Sequence, residues 1–448
     1  MSHLDTVTVR KGRPQGSVYV PTSKSIAHRA LICAALASSG SKSVIACVPY
    51  NEDIDATLDC LAALGVSFQI EKETSDACCR CVTVKGRGGQ WDQKGTTLPC
   101  RESGSTLRFM LPLCLLSEES VCLQGSPRLL ERPLSDYDAL LSDRSCKKSE
   151  TMLEIGQGST ISPGVFHLSG KISSQFVTGL LFALPLLTQD SVIEMDQAPE
   201  SRSYIDMTIA VMKRFGVSAY WETEKTIRIP GNQTYVAADM SVDGDASGAA
   251  FFYALQAFGA SVDVCNPPNS DIIQGDSVCA EYLQKMVKNG GELPIISLED
   301  CPDLGPILFA TATLCRGAIF THTARLRMKE SDRVAAMVAE LSKFGANIAT
   351  LDDVLDNERK ASLPPELQTL GDGAACGGWV AVLPTANGLH APRETLNGHN
   401  DHRIVMSLAI LCSMVGDGCI TDAHAVRKSF PNFFECLREL GIAVEEAT

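Results

Sequence analysis

Lys24 and Ser25 stand at the head of an apolar segment, Thr22-Ser-Lys-Ser-Ile-Ala-His-Arg29, and Arg29 follows Ser25 by four residues. On a helix that spacing puts both on one side. A basic group beside a helix start suits a phosphate. Taken alone, the segment also fits a capped helix with solvated charges. Lys329-Glu-Ser-Asp-Arg333 packs ionisable residues together just as a helix begins, with Glu330 and Arg333 three apart and Asp332 placed to cap. Asn400-Asp-His-Arg403 opens an otherwise apolar helix, where solvated charges are out of place. Pro127-Arg-Leu-Leu-Glu-Arg132 and Arg427-Lys-Ser-Phe-Pro431 add cations flanked by apolar residues or proline. Asp303, at another buried helix start, reads as an N-cap, a base, or both. Recurring in one acidic chain, these clusters point to a pocket for multiply charged small molecules, with carboxylates at hand for proton transfer.

Such a pocket requires that distant segments be brought together. Buried-looking apolar helices open at Ser25, Ser105, Ser173, Asp245, Asp303 and Asp401. Helix starts present unpaired N–H groups and partial positive charge, so several aimed at one cleft would trap anions. Amphipathic helices follow most of them, at Asp55–Gly65, Asp206–Gly216, Asp332–Gly345 and Phe433–Gly441, each stopped by a glycine suited to the left-handed position after a helix. Weaker copies lie near Leu134–Leu141 and Ala280–Gly290. Short β-like runs come next, at Val66–Ile70, Val217–Trp221 and Ile442–Val444. The pattern predicts six repeated strand–helix–strand–helix–strand units of about 60–100 residues, three to a domain. The first helix of each unit is apolar nearly all round. It therefore belongs inside, with strands forming the outer wall. Pro230-Gly-Asn-Gln-Thr is expected to divide the halves, and Asp353–Gly378 reads as a loop insertion.

With 448 residues, a length prior gives roughly two or three domains, and 45% apolar residues suffice for large cores. A net charge of −14 argues against nucleic acid as a partner. No run approaches a membrane span, and the N-terminus lacks a secretory segment, so a cytoplasmic protein is expected. Its 18 cysteines, many inside apolar helices (Cys33, Cys114, Cys315, Cys412), fit a reducing compartment. Cys78, Cys79 and Cys81 cluster, but no second ligand pair complements them as a metal site.

With those residues assembled, the chain resembles the 5-enolpyruvylshikimate-3-phosphate synthase family over nearly its whole length. The resemblance rests on Ser23-Lys-Ser-Ile-Ala-His-Arg29, Glu102-Ser-Gly-Ser-Thr-Leu-Arg108, Pro127-Arg128 through Arg132-Pro133, Ser173-Ser-Gln175, Ser201-Arg-Ser-Tyr-Ile-Asp206, Lys329-Glu-Ser-Asp-Arg333, Asn400-Asp-His-Arg403 and Lys428-Ser-Phe-Pro431, in that order. It implies an α/β (α+β) fold: a two-domain inside-out α/β barrel built from six βαβαββ units. Residues 21–242 would form one domain, and residues 1–20 with 243–448 the other, closing on substrate between them. It also implies transfer of the enolpyruvyl group of phosphoenolpyruvate to the 5-hydroxyl of shikimate 3-phosphate by addition and elimination, with no metal or organic cofactor.

By that resemblance Asp303 takes the hydroxyl proton, Glu330 protonates the methylene carbon, and Lys24 lies between the substrates, assisting proton transfer and binding both. Ser25, Arg29, Ser173, Ser174, Gln175, Ser201, Tyr204 and Lys329 would hold shikimate 3-phosphate. Gly104, Arg128, Gln175, Arg333, Arg403 and Lys428 would hold phosphoenolpyruvate. His402 supports the leaving phosphate or is structural. An acidic Glu330 needs a raised pKa, against the pull of Lys329 and Arg333; burial or bound anions would supply it. Gly104 keeps a small residue beside phosphoenolpyruvate, which implies inhibition by glyphosate. Glu102 and Arg325 replace an asparagine common at each of those places, which affects fine contacts rather than the reaction. The related transferase that acts on UDP-N-acetylglucosamine uses a loop cysteine, and the Arg128–Arg132 loop has none. A phospho-ligand binding protein without turnover is the other alternative. A monomer is expected.

Overall fold

The computed structural model describes the chain except residues 1–4, 73–78, 171–172, 200, 269–271, 289–292, 352–377, 386–387 and 448. The chain separates into two compact units. One comprises residues 21–245 with 269–274, and the other residues 1–20, 246–268 and 275–448.

In the 21–245 unit the helices are α1 (Lys24–Leu36), α2 (Glu52–Ala63), α3 (Gly104–Cys114), the short α4 (Pro127–Glu131), α5 (Ser174–Ala183) and α6 (Arg202–Arg214). In the second unit they are α7 (Ala246–Ala257), α8 (Cys279–Val287), α9 (Gly305–Ala312), α10 (Arg333–Ser342), α11 (His402–Val415) and α12 (Phe433–Glu439). The apolar helices are the buried ones. Every residue of α1 from Ile26 on is buried, as is all of α3 but Ser105, all of α5 but Gln175 and the whole of α9. A helix without a polar face finds no favourable surface position.

The strands form separate sheets that share one pairing pattern, and the fold is mixed α/β. In the 21–245 unit each sheet runs parallel, antiparallel, antiparallel. Met240–Ser241 pairs with Lys42–Pro49, then Cys79–Lys85, then Ser67–Lys72. The same holds for Thr96–Arg101, Val121–Gly125, Met152–Ile155 and Cys146–Lys148. It holds again for Val165–Leu168, Ser191–Met195, Thr226–Ile229 and Tyr220–Thr223. In the second unit Ile295–Ser297, Ala318–Thr321, Trp379–Leu383 and Asn347–Leu351 repeat it. Thr6–Val9 lies between Gly418–Thr421 and Val444–Ala447, and a parallel bridge from Leu396 to Ile420 supplies the fourth position. The sixth sheet, among the described residues, is the parallel pair Gln15–Val18 and Ser261–Val264. None of these sheets closes into a barrel.

Several expectations shift. Pro230-Gly-Asn-Gln-Thr does not divide the halves; it lies inside the first unit. There the Gln233 N–H donates to the Pro185 carbonyl at 2.9 Å, and the buried Tyr235 hydroxyl to the Phe182 carbonyl at 3.1 Å. The segment near Leu134–Leu141 is a 3-10 turn, and the copy expected at Ala280–Gly290 shows as α8 (Cys279–Val287), with residues 289 and 290 outside the described residues. The insertion expected at Asp353–Gly378 lies, but for Gly378, outside the described residues, as does Cys78. The cysteines among the described residues form no disulfide. Burial pushes the Cys33, Cys114 and Cys412 thiols up, and Cys315 up to about 11. Among the described residues no helix is long and apolar enough to cross a membrane, and no group of three metal-ligating side chains gathers.

Candidate active site

In the second unit the chemistry converges on Arg333. The Asp332 side chain accepts from the Ala335 N–H at 2.9 Å and so starts α10. The first residue of that helix, Arg333, points inward with only 1% of its side chain exposed. Its Nη1 donates to Asp303 Oδ1 at 2.8 Å, Nη2 to Glu330 Oε2 at 2.7 Å and Nε to Asp401 Oδ2 at 2.9 Å. Asp401, fully buried, also caps α11 by accepting from the Arg403 N–H at 2.9 Å, and it accepts from Ser331 Oγ at 3.0 Å. Lys329 Nζ lies 3.3 Å from Asp303 Oδ1, and Arg403 Nη2 lies 3.8 Å from Asp303 Oδ2. Carboxylates Asp303, Glu330 and Asp401 thus face cations Lys329, Arg333 and Arg403, a balance that lets buried charges persist.

Burial pulls the Arg333 guanidinium down, but Asp401, Glu330 and Asp303 more than offset it and hold the charge firmly. For Lys329 burial wins. Its ammonium is lowered despite Asp303 and Glu330, with Arg333 and Arg325 pushing the same way. Glu330 is 25% exposed, so the complete burial that would favour an acid is not present. The cap role expected of Asp303 is not seen. Asp303 sits in the 3-10 turn Pro302–Leu304, α9 begins after Leu304, and no side chain caps it. Salt-bridge partners claim the carboxylate instead. His402 is buried with Nδ1 3.9 Å from Asp401 Oδ1, and Lys428 Nζ donates to the Asn400 carbonyl at 2.9 Å.

In the 21–245 unit the helix starts carry the candidates. Lys24 Nζ pairs with Asp53 Oδ2 at 2.9 Å. Arg29, expected beside Ser25 on an anion-facing side, is buried and turned toward α6. Its Nη1 donates to the Ser25 carbonyl at 2.7 Å, Nε to Thr208 Oγ1 at 2.8 Å and Nη2 to the Tyr204 carbonyl at 3.1 Å. Burial lowers Arg29 to about 10. Ser201 precedes α6 in the left-handed region at φ 58°, and it is buried. Ser173 caps α5 by accepting from the Gln175 N–H at 3.4 Å. Gln175 accepts from Arg108 Nη1 and donates to Ser105 Oγ, both at 2.8 Å. Gly104 opens α3 against these groups. A Cβ there would come within 2.9 Å of Nη1 of both Arg108 and Arg132. Arg128, on α4, lies 3.5 Å from Glu131, and both are exposed.

The structure therefore groups Lys329, Glu330, Arg333, Asp303 and Arg403 in one unit. In the other it groups Gly104 with Gln175 and Arg29 with Ser25 and Tyr204. Sequence reasoning missed Asp53 and gave no partner to Asp401, Arg108 or Arg132, although all three lie in its motifs. A signal existed for Arg108, an arginine inside an otherwise apolar helix. None existed for Asp53, one of several acids at the start of α2.

The family model for EPSP synthase (3-phosphoshikimate 1-carboxyvinyltransferase) matches residues 9–437. A 3-phosphoshikimate 1-carboxyvinyltransferase of Clostridium kluyveri is 35% identical over 460 aligned residues, covering 98% of each chain. One from Clostridioides difficile is 34% identical, covering 99% of each. A solved EPSP synthase from Acinetobacter baumannii shares the fold with a TM-score of 0.74, at 21% identity over 99% of this chain and 100% of that one. On this match, which spans nearly the full length and includes every motif that builds the two clusters, the chain belongs to the EPSP synthase family.

Proposed function

We propose that this protein transfers the enolpyruvyl group of phosphoenolpyruvate to the 5-hydroxyl of shikimate 3-phosphate, releasing phosphate, in the shikimate pathway to aromatic amino acids. The observation that carries the reading is the Asp303–Arg333–Glu330 cluster: a base and an acid on one guanidinium, with Lys329 and Arg403 around the base. Addition needs a proton removed from the attacking hydroxyl and one delivered to the methylene carbon. Asp303 performs the first and Glu330 the second. Phosphoenolpyruvate, through its carboxylate, competes with Glu330 and Asp303 for Arg333. Its arrival frees both groups for proton transfer, and fixed cations stabilise the charge that develops.

Lys24, Gly104, Arg128, Gln175, Arg333, Arg403 and Lys428 bind phosphoenolpyruvate in this reading. Lys24, Ser25, Arg29, Ser173, Ser174, Gln175, Ser201, Tyr204, Asp303 and Lys329 bind shikimate 3-phosphate. His402 supports the leaving phosphate. Residues of both units are needed. The recurring sheet pattern and the buried apolar helices support a reading of six βαβαββ modules with helices inside. The small space beside Gly104 supports inhibition by glyphosate, and a cytoplasmic location goes with this reading.

Incubation with both substrates, following orthophosphate, tests the reaction. Wild type should turn over, and Asp303→Ala and Glu330→Ala should each lose at least about a hundredfold in rate. UDP-N-acetylglucosamine in place of shikimate 3-phosphate should release none. No turnover, or turnover on the sugar nucleotide, overturns the reading.

A further inference from the structure

His28 is a buried imidazole that the reaction does not use. It sits on α1 with its edge on Phe109 of α3, ring centroids 6.2 Å apart, and its Nε2 has no hydrogen-bond partner. Its Nδ1 lies 2.7 Å from Thr57 Oγ1 on α2, and Thr57 Oγ1 lies 2.8 Å from Thr106 Oγ1 on α3. Thr106 Oγ1 donates to Ser103 Oγ at 2.8 Å, with the Asp53 carbonyl a longer acceptor at 3.4 Å. Ser103 is the N-cap of α3, and it accepts from the Thr106 N–H at 3.2 Å.

The proton directions follow from these contacts. The Thr106 hydroxyl hydrogen is directed at Ser103 or Asp53, so Thr106 accepts from Thr57. The single hydrogen of Thr57 is then committed to Thr106, so Thr57 accepts from His28. Nδ1 of His28 therefore carries a hydrogen, and because the buried Nε2 has no partner to accept from a second one, the ring is neutral and Nε2 is a lone pair. A buried orphan acceptor is more tolerable than a buried orphan N–H. Burial, aided by Lys24 and Arg29 and opposed by Asp53, lowers His28 to about 3, which agrees with a neutral ring.

We propose that His28 is a positioning residue for phosphoenolpyruvate. Through Thr57 and Thr106 it fixes the cap of α3, and with it Gly104 and the segment carrying Asp53, the partner of Lys24. The inference rests on the reaction and on the roles of Gly104 and Lys24 proposed above. The chain joins α1 and α2 to the start of α3 by hydroxyls in series, so one missing donor loosens all that follow. A small displacement of a binding group lowers affinity without removing any reacting group.

The test is steady-state phosphate release with each substrate varied in turn. His28→Leu keeps apolar volume and removes the donor, and Thr57→Val breaks the next link. Each should raise KM for phosphoenolpyruvate about tenfold, with kcat and KM for shikimate 3-phosphate within about twofold of wild type. His28→Asn places an amide N–H near the position of Nδ1, and it should stay within about twofold of wild type throughout. Wild-type KM for phosphoenolpyruvate in a folded His28→Leu protein overturns the proposal, as does equal impairment in His28→Asn. If His28→Leu does not fold, Thr57→Val against its rescue by Thr57→Ser gives the same decision. A two-bond proton–nitrogen spectrum of the full chain should show hydrogen on Nδ1, and hydrogen on Nε2 would refute the chain. An inactive wild type strikes the assigned reaction, whereas an active wild type with unmoved variants strikes only the role of His28.

Discussion

Arg333 and His28 show two ways in which this chain keeps a titratable group inside. Arg333 stays charged because three carboxylates, Asp303, Glu330 and the fully buried Asp401, surround it. His28 stays neutral because no carboxylate reaches it closely enough to outweigh burial. That neutrality has a consequence for stability. Above pH 6.5 neither the folded nor the unfolded chain protonates this ring. Below it the unfolded ring takes a proton that the folded one refuses until about pH 3, so acid destabilises the fold across that window. At pH 5 the contribution is about 2 kcal/mol. Urea unfolding of wild type and His28→Asn at pH 7.5 and pH 5.0 reads this directly. The variant should lose about 2 kcal/mol less on acidification, and equal losses would show that His28 is already charged or solvated. At this scale the sequence disclosed the ionisable clusters but not their pairings. Asp303 looked like a cap because it precedes an apolar helix. Arg333, distant in sequence, takes the carboxylate, and only the tertiary fold brings that partner near.

The elements were more legible, because their rules are local. The 3.6-residue apolar period marked α2, α6, α10 and α12, and the glycines that close α2 and α12, Gly65 and Gly441, both sit at φ +85°. Starts were less accurate. α2 begins at Glu52 under a cap from Asn51, ahead of the Asp55 that opens its amphipathic pattern, because a cap depends on one side-chain bond rather than on a period. What no period reveals is how closely two buried helices approach. Gly179 on α5 faces α3, and a Cβ added there would lie 2.4 Å from the Arg108 carbonyl and 2.5 Å from Tyr137 Oη. The Tyr137 hydroxyl stands 3.0 Å from that carbonyl and 2.9 Å from the Phe176 carbonyl, pinning both helices. Gly179→Ala must therefore separate α3 from α5 or evict the tyrosine hydroxyl. A cost of about 2 kcal/mol is expected, with Tm lowered by several degrees. Calorimetry that finds no change in Tm would mean the two helices have room that their backbones do not show.

At the scale of the whole molecule residues 5–20 are structural members of a unit otherwise built from the far half of the chain. Thr6–Val9 is the middle strand of its sheet, with Thr6 opposite both Thr421 and Ala447. Gln15–Val18 pairs with Ser261–Val264. Val7, Val9, Val18 and Val20 are buried in that unit's core. This placement left no trace in local pattern, since a short valine-rich strand reads alike whichever sheet receives it; the family resemblance alone carried it. Burying four valines contributes on the order of 6–12 kcal/mol, which matches the whole margin of about 5–15 kcal/mol by which a domain is stable. Their loss also strands the backbone groups of Gly418–Thr421 and Val444–Ala447 that faced the missing strand. Among the described residues, the sheets of the 21–245 unit take no strand from residues 5–20. A chain beginning at residue 21 should therefore keep one cooperative melting transition and lose the other. Its C-terminal half should become sensitive to protease, and phosphate release should vanish because Asp303, Glu330 and Arg333 lose their frame. Two intact transitions with measurable turnover in the truncated chain would show that the N-terminal strand is dispensable.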